Sequence, residues 1–324
     1  MTHALITGGA GFIGSHLSDL LLKQGHTVTV IDDLSTGRLE NIQLHAGHPH
    51  YRYAIEDIRN IHVIDRLVSE CDLIYHLAAA VGVQKIVSEP INTIEVNIGG
   101  TETILKTARR YRKKVMIAST SEVYGKGVNF PFREEDDSLV GPTTRSRWAY
   151  ATSKAVDEFL ALAYHKEVGL PVVIFRLFNT VGPRQQGQYG MVLPRFIRWA
   201  LDNEPIQVYG DGAQSRCFGN VSDVVDAIAR LTEVPDAVGQ VFNIGSDEEI
   251  TILELAERVR DRCGSQSEIK LIPYEDAYEP GFEDFRRRVP SVEKIHSVTG
   301  WLPSTPLNTT IDQIIAYYKE SSHG

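Results

Sequence analysis

Short apolar runs alternate with stretches of helical period along the first half of the chain. His3-Ala4-Leu5-Ile6-Thr7 predicts a strand, followed by Gly8-Gly9-Ala10-Gly11-Phe12-Ile13-Gly14 and a helix from about Ser15 to Gln24. Thr27-Val28-Thr29-Val30-Ile31 predicts a second strand that ends at Asp32-Asp33. Leu73-Ile74-Tyr75-His76-Leu77, Val115-Met116-Ile117-Ala118 and Val172-Val173-Ile174-Phe175-Arg176 continue the rhythm, with helical patterns between them. Strand–helix–strand repetition predicts an α/β fold with a doubly wound parallel sheet, whose ligand lies at the carboxyl ends of the strands. Past about Asn179 the rhythm loosens into Gly/Pro punctuation at Gly182-Pro183, Gly210-Asp211-Gly212 and Tyr278-Glu279-Pro280-Gly281, with helices near Pro194 to Asp202 and Ser222 to Thr232. The expected division is a nucleotide-binding domain over residues 1–178 and a smaller C-terminal α/β substrate lobe over 179–324, with a return segment near 221–244.

The glycine segment fits GxxGxxG through Gly8, Gly11 and Gly14, and GxGxxG through Gly9, Gly11 and Gly14. Such a pattern is weak by itself. Here a strand precedes it, a helix carrying Phe12 and Ile13 follows it, and Asp32 ends the second strand 18 positions beyond Gly14. That context is the Rossmann dinucleotide fingerprint. Glycines allow a tight turn and close approach of the backbone to a pyrophosphate, and the helix N-terminus supplies N–H donors. Asp32 would accept from an adenosine ribose and repel a 2′-phosphate, favouring NAD over NADP, although Arg38 is a basic residue nearby in sequence. Asp57-Ile58 is placed to reach the adenine, and Ala78, in Ala78-Ala79-Ala80, to line the cofactor.

Tyr150 and Lys154 spell YxxxK, so on a helix they lie one turn apart on one face. In an arbitrary helix this is an exposed tyrosine and a solvated lysine. Beside a dinucleotide site it becomes a base: an ammonium and a cationic cofactor ring together would bring the phenol from roughly 10 toward neutrality, about three units or roughly 4 kcal/mol. Such a tyrosine takes a proton from a sugar hydroxyl while hydride leaves the same carbon. About 30 residues upstream stands Ser119-Thr120-Ser121-Glu122-Val123-Tyr124-Gly125.

Composition narrows the class without changing this picture. With 324 residues, 42% hydrophobic and 23% charged, the chain is long enough for a large core in two lobes. A net charge of −9 argues against nucleic-acid binding; the basic run Arg109-Arg110-Tyr111-Arg112-Lys113-Lys114 reads as a solvated helix end. Cys71, Cys217 and Cys263 are widely spaced and suggest neither a metal site nor a disulfide framework. No apolar run reaches about 18 residues and the N-terminus enters a strand directly, so a cytoplasmic protein with no membrane partner is expected.

Taken together, Gly8 to Gly14, Asp32, His76-Leu77-Ala78-Ala79, Ser119 to Gly125, Tyr150/Lys154, Phe178 to Arg184 and Val208-Tyr209-Gly210-Asp211-Gly212 resemble the extended short-chain dehydrogenase/reductase family over essentially the whole chain. This is the family of nucleotide-sugar epimerases and dehydratases. The resemblance implies a tightly held NAD, a UDP-, dTDP- or GDP-sugar substrate, and a homodimer formed through helices near Thr93 to Tyr111 and Lys154 to Val168. It also implies that Asn179 and Tyr209 contact the nucleotide and that Arg216 binds the diphosphate, with Gly219-Asn220 departing from the family's usual pairing there.

Thr120-Ser121-Glu122 is similar to the triplet of UDP-glucuronate decarboxylases, and GDP-mannose dehydratases also show Thr-Ser-Glu. The loop Leu139 to Tyr150 and the segment Gly281 to Ser291 both resemble a bacterial UDP-glucuronate decarboxylase, the latter placing a functional arginine at Arg288. On this reading UDP-glucuronate is oxidised at C4 and decarboxylated, giving UDP-xylose or UDP-4-ketopentose. Tyr150 is the base, Lys154 its partner, and Thr120 a donor to the C4 oxygen. Ser121 and Glu122 serve the hydroxyl and carboxylate end of the sugar, Arg288 binds an anion or helps to protonate C5, and Arg147 recognises the carboxylate. A 4-epimerase or 4,6-dehydratase on the same scaffold is the alternative; a non-catalytic NAD sensor is a third reading from a different class.

Overall fold

The strand sequences are apolar on both faces because both faces are covered. In the computed structural model, which describes residues 1–82, 88–187, 191–277 and 285–321, seven strands form one sheet. Their order is Gln240–Ile244, Val172–Leu177, Lys114–Thr120, Leu73–His76, His3–Thr7, Thr27–Asp32 and Tyr51–Ile55. Every pairing is parallel. Successive residues feed opposite layers: Ile6, Val30, Met116 and Phe175 pack with Leu17 and Ile228 on one face. Leu5, Ile31, Ile117 and Ile174 pack with Ile64, Leu105 and Ala161 on the other. Each fully buried Leu or Ile contributes about 1.5–3 kcal/mol, so a one-residue slip of any central strand would be costly.

The strand Tyr51–Ile55 lies at the sheet edge, where Tyr53 and Ile55 are exposed. Its weak apolar signal explains why the apolar runs of the sequence do not mark it as a strand. The first helix runs Phe12–Lys23, three residues earlier than the periodicity predicts. The glycine turn is already complete at Gly11, which leaves Phe12 and Ile13 free to begin the helix.

Past residue 179 the chain serves two bodies. The helix Val221–Glu233, the strand Gln240–Ile244 and the helix Glu293–Thr299 pack at the central sheet. A third core, around Leu193, Ile197, Val208, Leu255, Val259 and Ile311, unites the helices Val192–Leu201, Ile252–Cys263 and Leu307–Ser321 with the strand Ile206–Tyr209. A three-stranded sheet of Glu249–Thr251, Ser215–Cys217 and Arg287–Arg288 puts Arg216 beside Arg288. The punctuation Tyr278 to Gly281 and the start of the segment before Arg288, Gly281 to Asp284, lie outside the described residues. No helix among the described residues is long and apolar enough to cross a membrane.

Candidate active site

At the switch point of the sheet, where strand order reverses between His3–Thr7 and Leu73–His76, the carboxyl ends open into a cavity of about 560 Å³. Gly8, Gly11, Phe12, Ile13, Gly14, Asp32, Asp57, Ile58 and Ala78 line one end of it. Gly8 has φ +73°, and a Cβ there would sit 2.9 Å from the Ala78 nitrogen; at Gly14 a Cβ would be 2.3 Å from the Gly8 carbonyl oxygen. At Gly11 an added Cβ would meet only the Gly8 oxygen, at 3.1 Å, so that glycine keeps the cavity open rather than the core closed. The first N–H groups of the helix Phe12–Lys23 have no side-chain cap and lack intrahelical acceptors, which suits a phosphate group.

Asp32 is buried. Its Oδ2 accepts from Ala10 N at 3.0 Å and its Oδ1 from Leu34 N at 2.9 Å. Burial raises its pKa, partly offset by these backbone N–H groups. Gly37 lets the Asp32 loop close, since a Cβ there would be 2.5 Å from Asp32 Oδ1. Arg38 turns instead to Glu40, at 3.1 Å on the surface. Asn41, not singled out in the sequence, donates to Ala10 O at 2.8 Å and fixes the same turn.

The strand Lys114–Thr120 delivers Thr120, Ser121 and Glu122, and the helix Ala149–Val168 delivers Tyr150 and Lys154; all five line the cavity. Thr120 Oγ1 accepts from Glu122 N at 3.2 Å and caps the 3-10 turn Ser121–Tyr124. Its hydroxyl proton is thereby left to donate toward the phenol of Tyr150, which it also hydrogen-bonds. Two side chains missed in the sequence hold the catalytic elements in register. Glu158 receives Ser119 Oγ and pairs with Arg176 at 2.8 Å. Asn97, in the π-helical turn Glu95–Gly99, accepts from Ala80 N at 2.8 Å and donates to Ser153 Oγ at 2.9 Å.

The expected lowering of the Tyr150 pKa is not a property of the chain alone. Burial first, and then the Glu122 charge, push the phenol above its ordinary range, while the Thr120 hydrogen bond and Arg288 work in the other direction. Lys154 is itself paired: its Nζ donates to Asp157 Oδ2 at 2.7 Å, both side chains buried, a contact that the helix spacing of Tyr150 and Lys154 does not show.

Glu122 is held by two guanidiniums. Arg147 Nη1 donates to its Oε2 at 2.5 Å, and Arg288 Nη1 lies 3.6 Å from its Oε1. Burial disfavours the carboxylate, but the two arginines outweigh it and hold Glu122 below the ordinary range. Arg288 also donates to Asn179 Oδ1 at 2.6 Å. Arg147, expected at a substrate carboxylate, does not line the cavity; its short 3-10 turn, Ser146–Trp148, sets it behind Glu122.

Asn179, Tyr209 and Arg216 also line the cavity, with Arg216 buried. Arg195 joins them: its Nη2 donates to Tyr209 Oη at 2.5 Å and its guanidinium lies over Trp199 at 4.7 Å. Sequence reasoning passed over Arg195 because a basic residue on an amphipathic helix looks like a solvated one. Asn220, the departure from the family's pairing, caps the helix Val221–Glu233 through Ser222 N at 2.8 Å and donates to Thr310 at 2.9 Å. Its role in this position is to pin the C-terminal helix.

Residues 5–314 match the family described as GDP-mannose 4,6 dehydratase. Among curated proteins, UDP-N-acetyl-alpha-D-glucosaminuronate decarboxylase of Bacillus cytotoxicus is 43% identical over 98% of this chain and 97% of its own. UDP-glucuronic acid decarboxylase 1 of Danio rerio is 37% identical over 98% of this chain and 73% of its own. Among solved structures, UDP-glucuronic acid 4-epimerase of Bacillus cereus, in complex with UDP-glucuronic acid and NAD, superposes with a TM-score of 0.89 at 28% identity, covering 98% of this chain and 99% of that one. With a glycine cradle, an acid at the second strand, a Thr/Tyr/Lys set at the switch point and a family match over nearly its whole length, the chain belongs to the GDP-mannose 4,6 dehydratase family, in the extended short-chain dehydrogenase/reductase group of nucleotide-sugar epimerases and dehydratases.

Proposed function

We propose that the protein is an NAD-dependent decarboxylase of UDP-glucuronate. The observation that carries this reading is Arg288, which lines the cavity with Tyr150 and Glu122 and would face the carboxylate of a uronate bound there. NAD fits the other end, where the open face of Gly11, the uncapped helix and the buried Asp32 offer a pyrophosphate cradle and a ribose acceptor. When bound, NAD accepts the hydride from C4 and brings the positive charge that Tyr150 lacks.

Tyr150 Oη then takes the C4 hydroxyl proton, and the Thr120 hydroxyl donates to the oxygen that becomes the ketone. Ketone formation makes the sugar a β-keto acid: the C5–C6 bond breaks, carbon dioxide leaves, and its electron pair passes to an enolate that is protonated at C5. Lys154 serves the ribose and the phenol; Ser121, Glu122 and Arg288 hold the C6 end. Asn179, Tyr209 and Arg216 bind the uridine diphosphate.

The Bacillus cytotoxicus relative favours a second substrate, the 2-acetamido uronate, and the Bacillus cereus structure favours a 4-epimerase on the same sugar. Incubation with UDP-glucuronate, UDP-N-acetylglucosaminuronate and UDP-glucose, each followed by mass spectrometry, separates them. Loss of carbon dioxide from a uronate is expected. A C4-inverted product that keeps its carboxylate would replace the decarboxylase reading with an epimerase.

The same reading extends to a homodimer. The helices Pro90–Ile94 and Ala149–Val168 pack together and leave Ile91 and Phe159 at 73% and 76% exposure, an apolar face suited to a four-helix contact. Light scattering should give twice the chain mass, and Phe159→Glu should return it to the mass of one chain. A cytoplasmic setting agrees with the three free thiols.

A further inference from the structure

An aspartate is almost never fully buried without a partner. Asp157 has 0% exposure, lies three residues beyond Lys154 on the helix Ala149–Val168, and does not line the cavity. Its Oδ2 accepts from Lys154 Nζ at 2.7 Å. Burial raises its pKa above the ordinary value, while the Lys154 charge and hydrogen bond, and then the Thr101 hydroxyl, work to lower it. Thr101 comes from the helix Gly100–Tyr111 and also meets His76 Nε2, at 3.1 Å. His76 Nδ1 meets Thr7 Oγ1 at 2.8 Å, and that oxygen accepts from Ala78 N at 3.1 Å. Burial, and then the Lys154 charge, bring the His76 pKa down to about 3, so its imidazole is neutral. Asp157 supplies the negative charge that meets the ammonium.

Neither stability nor base chemistry accounts for this carboxylate. A buried ion pair is often no more stable than apolar side chains of similar volume. The Asp157 charge also opposes ionisation of Tyr150. What remains is geometry: a lysine is a flexible stem ending in three N–H donors, and one of those of Lys154 is committed to Asp157 Oδ2. Lys154 itself lines the cavity with Tyr150, so its other donors can be given to hydroxyl oxygens there. Tyr150 works where hydride is transferred, and the ribose beside it is the one that carries the nicotinamide.

We propose that Asp157 is a positioning residue of the cofactor site: it anchors the Lys154 ammonium so that the remaining donors meet the hydroxyls of the nicotinamide ribose. The inference rests on Lys154 as the ribose contact and is independent of which sugar is turned over.

Calorimetry on NAD-free protein tests it with two ligands, NAD and ADP, the second having no nicotinamide ribose. Asp157→Asn keeps the shape of the side chain and removes its charge. It should weaken NAD by about tenfold and leave ADP within about twofold. Asp157→Ser, small and neutral, should do the same. Lys154→Met should show the same selective loss, and adding Asp157→Asn to it should change NAD binding by no more than about twofold, because the anchor then has nothing to hold. Wild-type NAD binding by Asp157→Asn overturns the proposal, as does a further loss in the double variant. Equal weakening of NAD and ADP in both Asp157 variants also overturns it, since a purely structural carboxylate would give that. If Lys154→Met binds NAD like the wild type, the ribose reading of Lys154 fails and the proposal with it. The decarboxylase reading is decided by the product of turnover and is untouched by any of these results.

Discussion

Tyr150→Phe is expected to lower kcat on UDP-glucuronate by about 10³-fold, with KM and NAD binding little changed, as measured by steady-state kinetics and by calorimetry. The side chain is half-buried, lines the cavity and differs from phenylalanine only by the oxygen that we propose takes the C4 proton. Folding should be unaffected. Burial and Glu122 raise the phenol's pKa in the chain alone, and the positive ring of a bound cofactor would work in the other direction. A phenolate difference spectrum between the wild type and Tyr150→Phe should therefore titrate at lower pH in NAD-loaded protein than in NAD-free protein. An identical titration in both states would show that the chain activates Tyr150 without help.

Glu122→Gln should be the most destabilising single change at the site, lowering unfolding free energy by about 3 kcal/mol, because it removes the carboxylate charge that Arg288 and the buried Arg147 share. The pH dependence has a definite sign. The Glu122 pKa is depressed in the folded state, so its stabilisation is present above the unfolded value near 4.5 and is lost as pH falls through the lower folded value. Denaturant midpoints of wild type and Glu122→Gln should therefore differ at neutral pH and converge in acid. The same substitution removes a negative charge that raises the Tyr150 pKa, so the limb of the rate profile set by that phenol should move to lower pH. Midpoints that stay equal at neutral pH would mean that the arginines carry their own compensation.

Much of the site was legible because its chemistry is local. Gly8, Gly11 and Gly14 follow a strand and open a helix, Asp32 ends the next strand, and Tyr150 and Lys154 share one helical face; each relation spans a few residues of regular backbone. Other features depend on contacts between distant segments. Asp157 reads in sequence as one more polar helix position, yet it is fully buried against Lys154. Arg195 looks solvated until the helix Val192–Leu201 is seen to pack beside Tyr209.

The amino-acid sequence by itself determined the alternating architecture, the glycine turn with Asp32 at the end of the next strand, and the one-turn pairing of Tyr150 with Lys154, since short-range periodicity and spacing specify these. Tertiary structure alone decided where the charges meet. Arg147 and Arg288 stand 141 positions apart, and nothing in the spacing of either says that both converge on Glu122. Electrostatic coupling depends on distance and burial, which only the packed chain supplies.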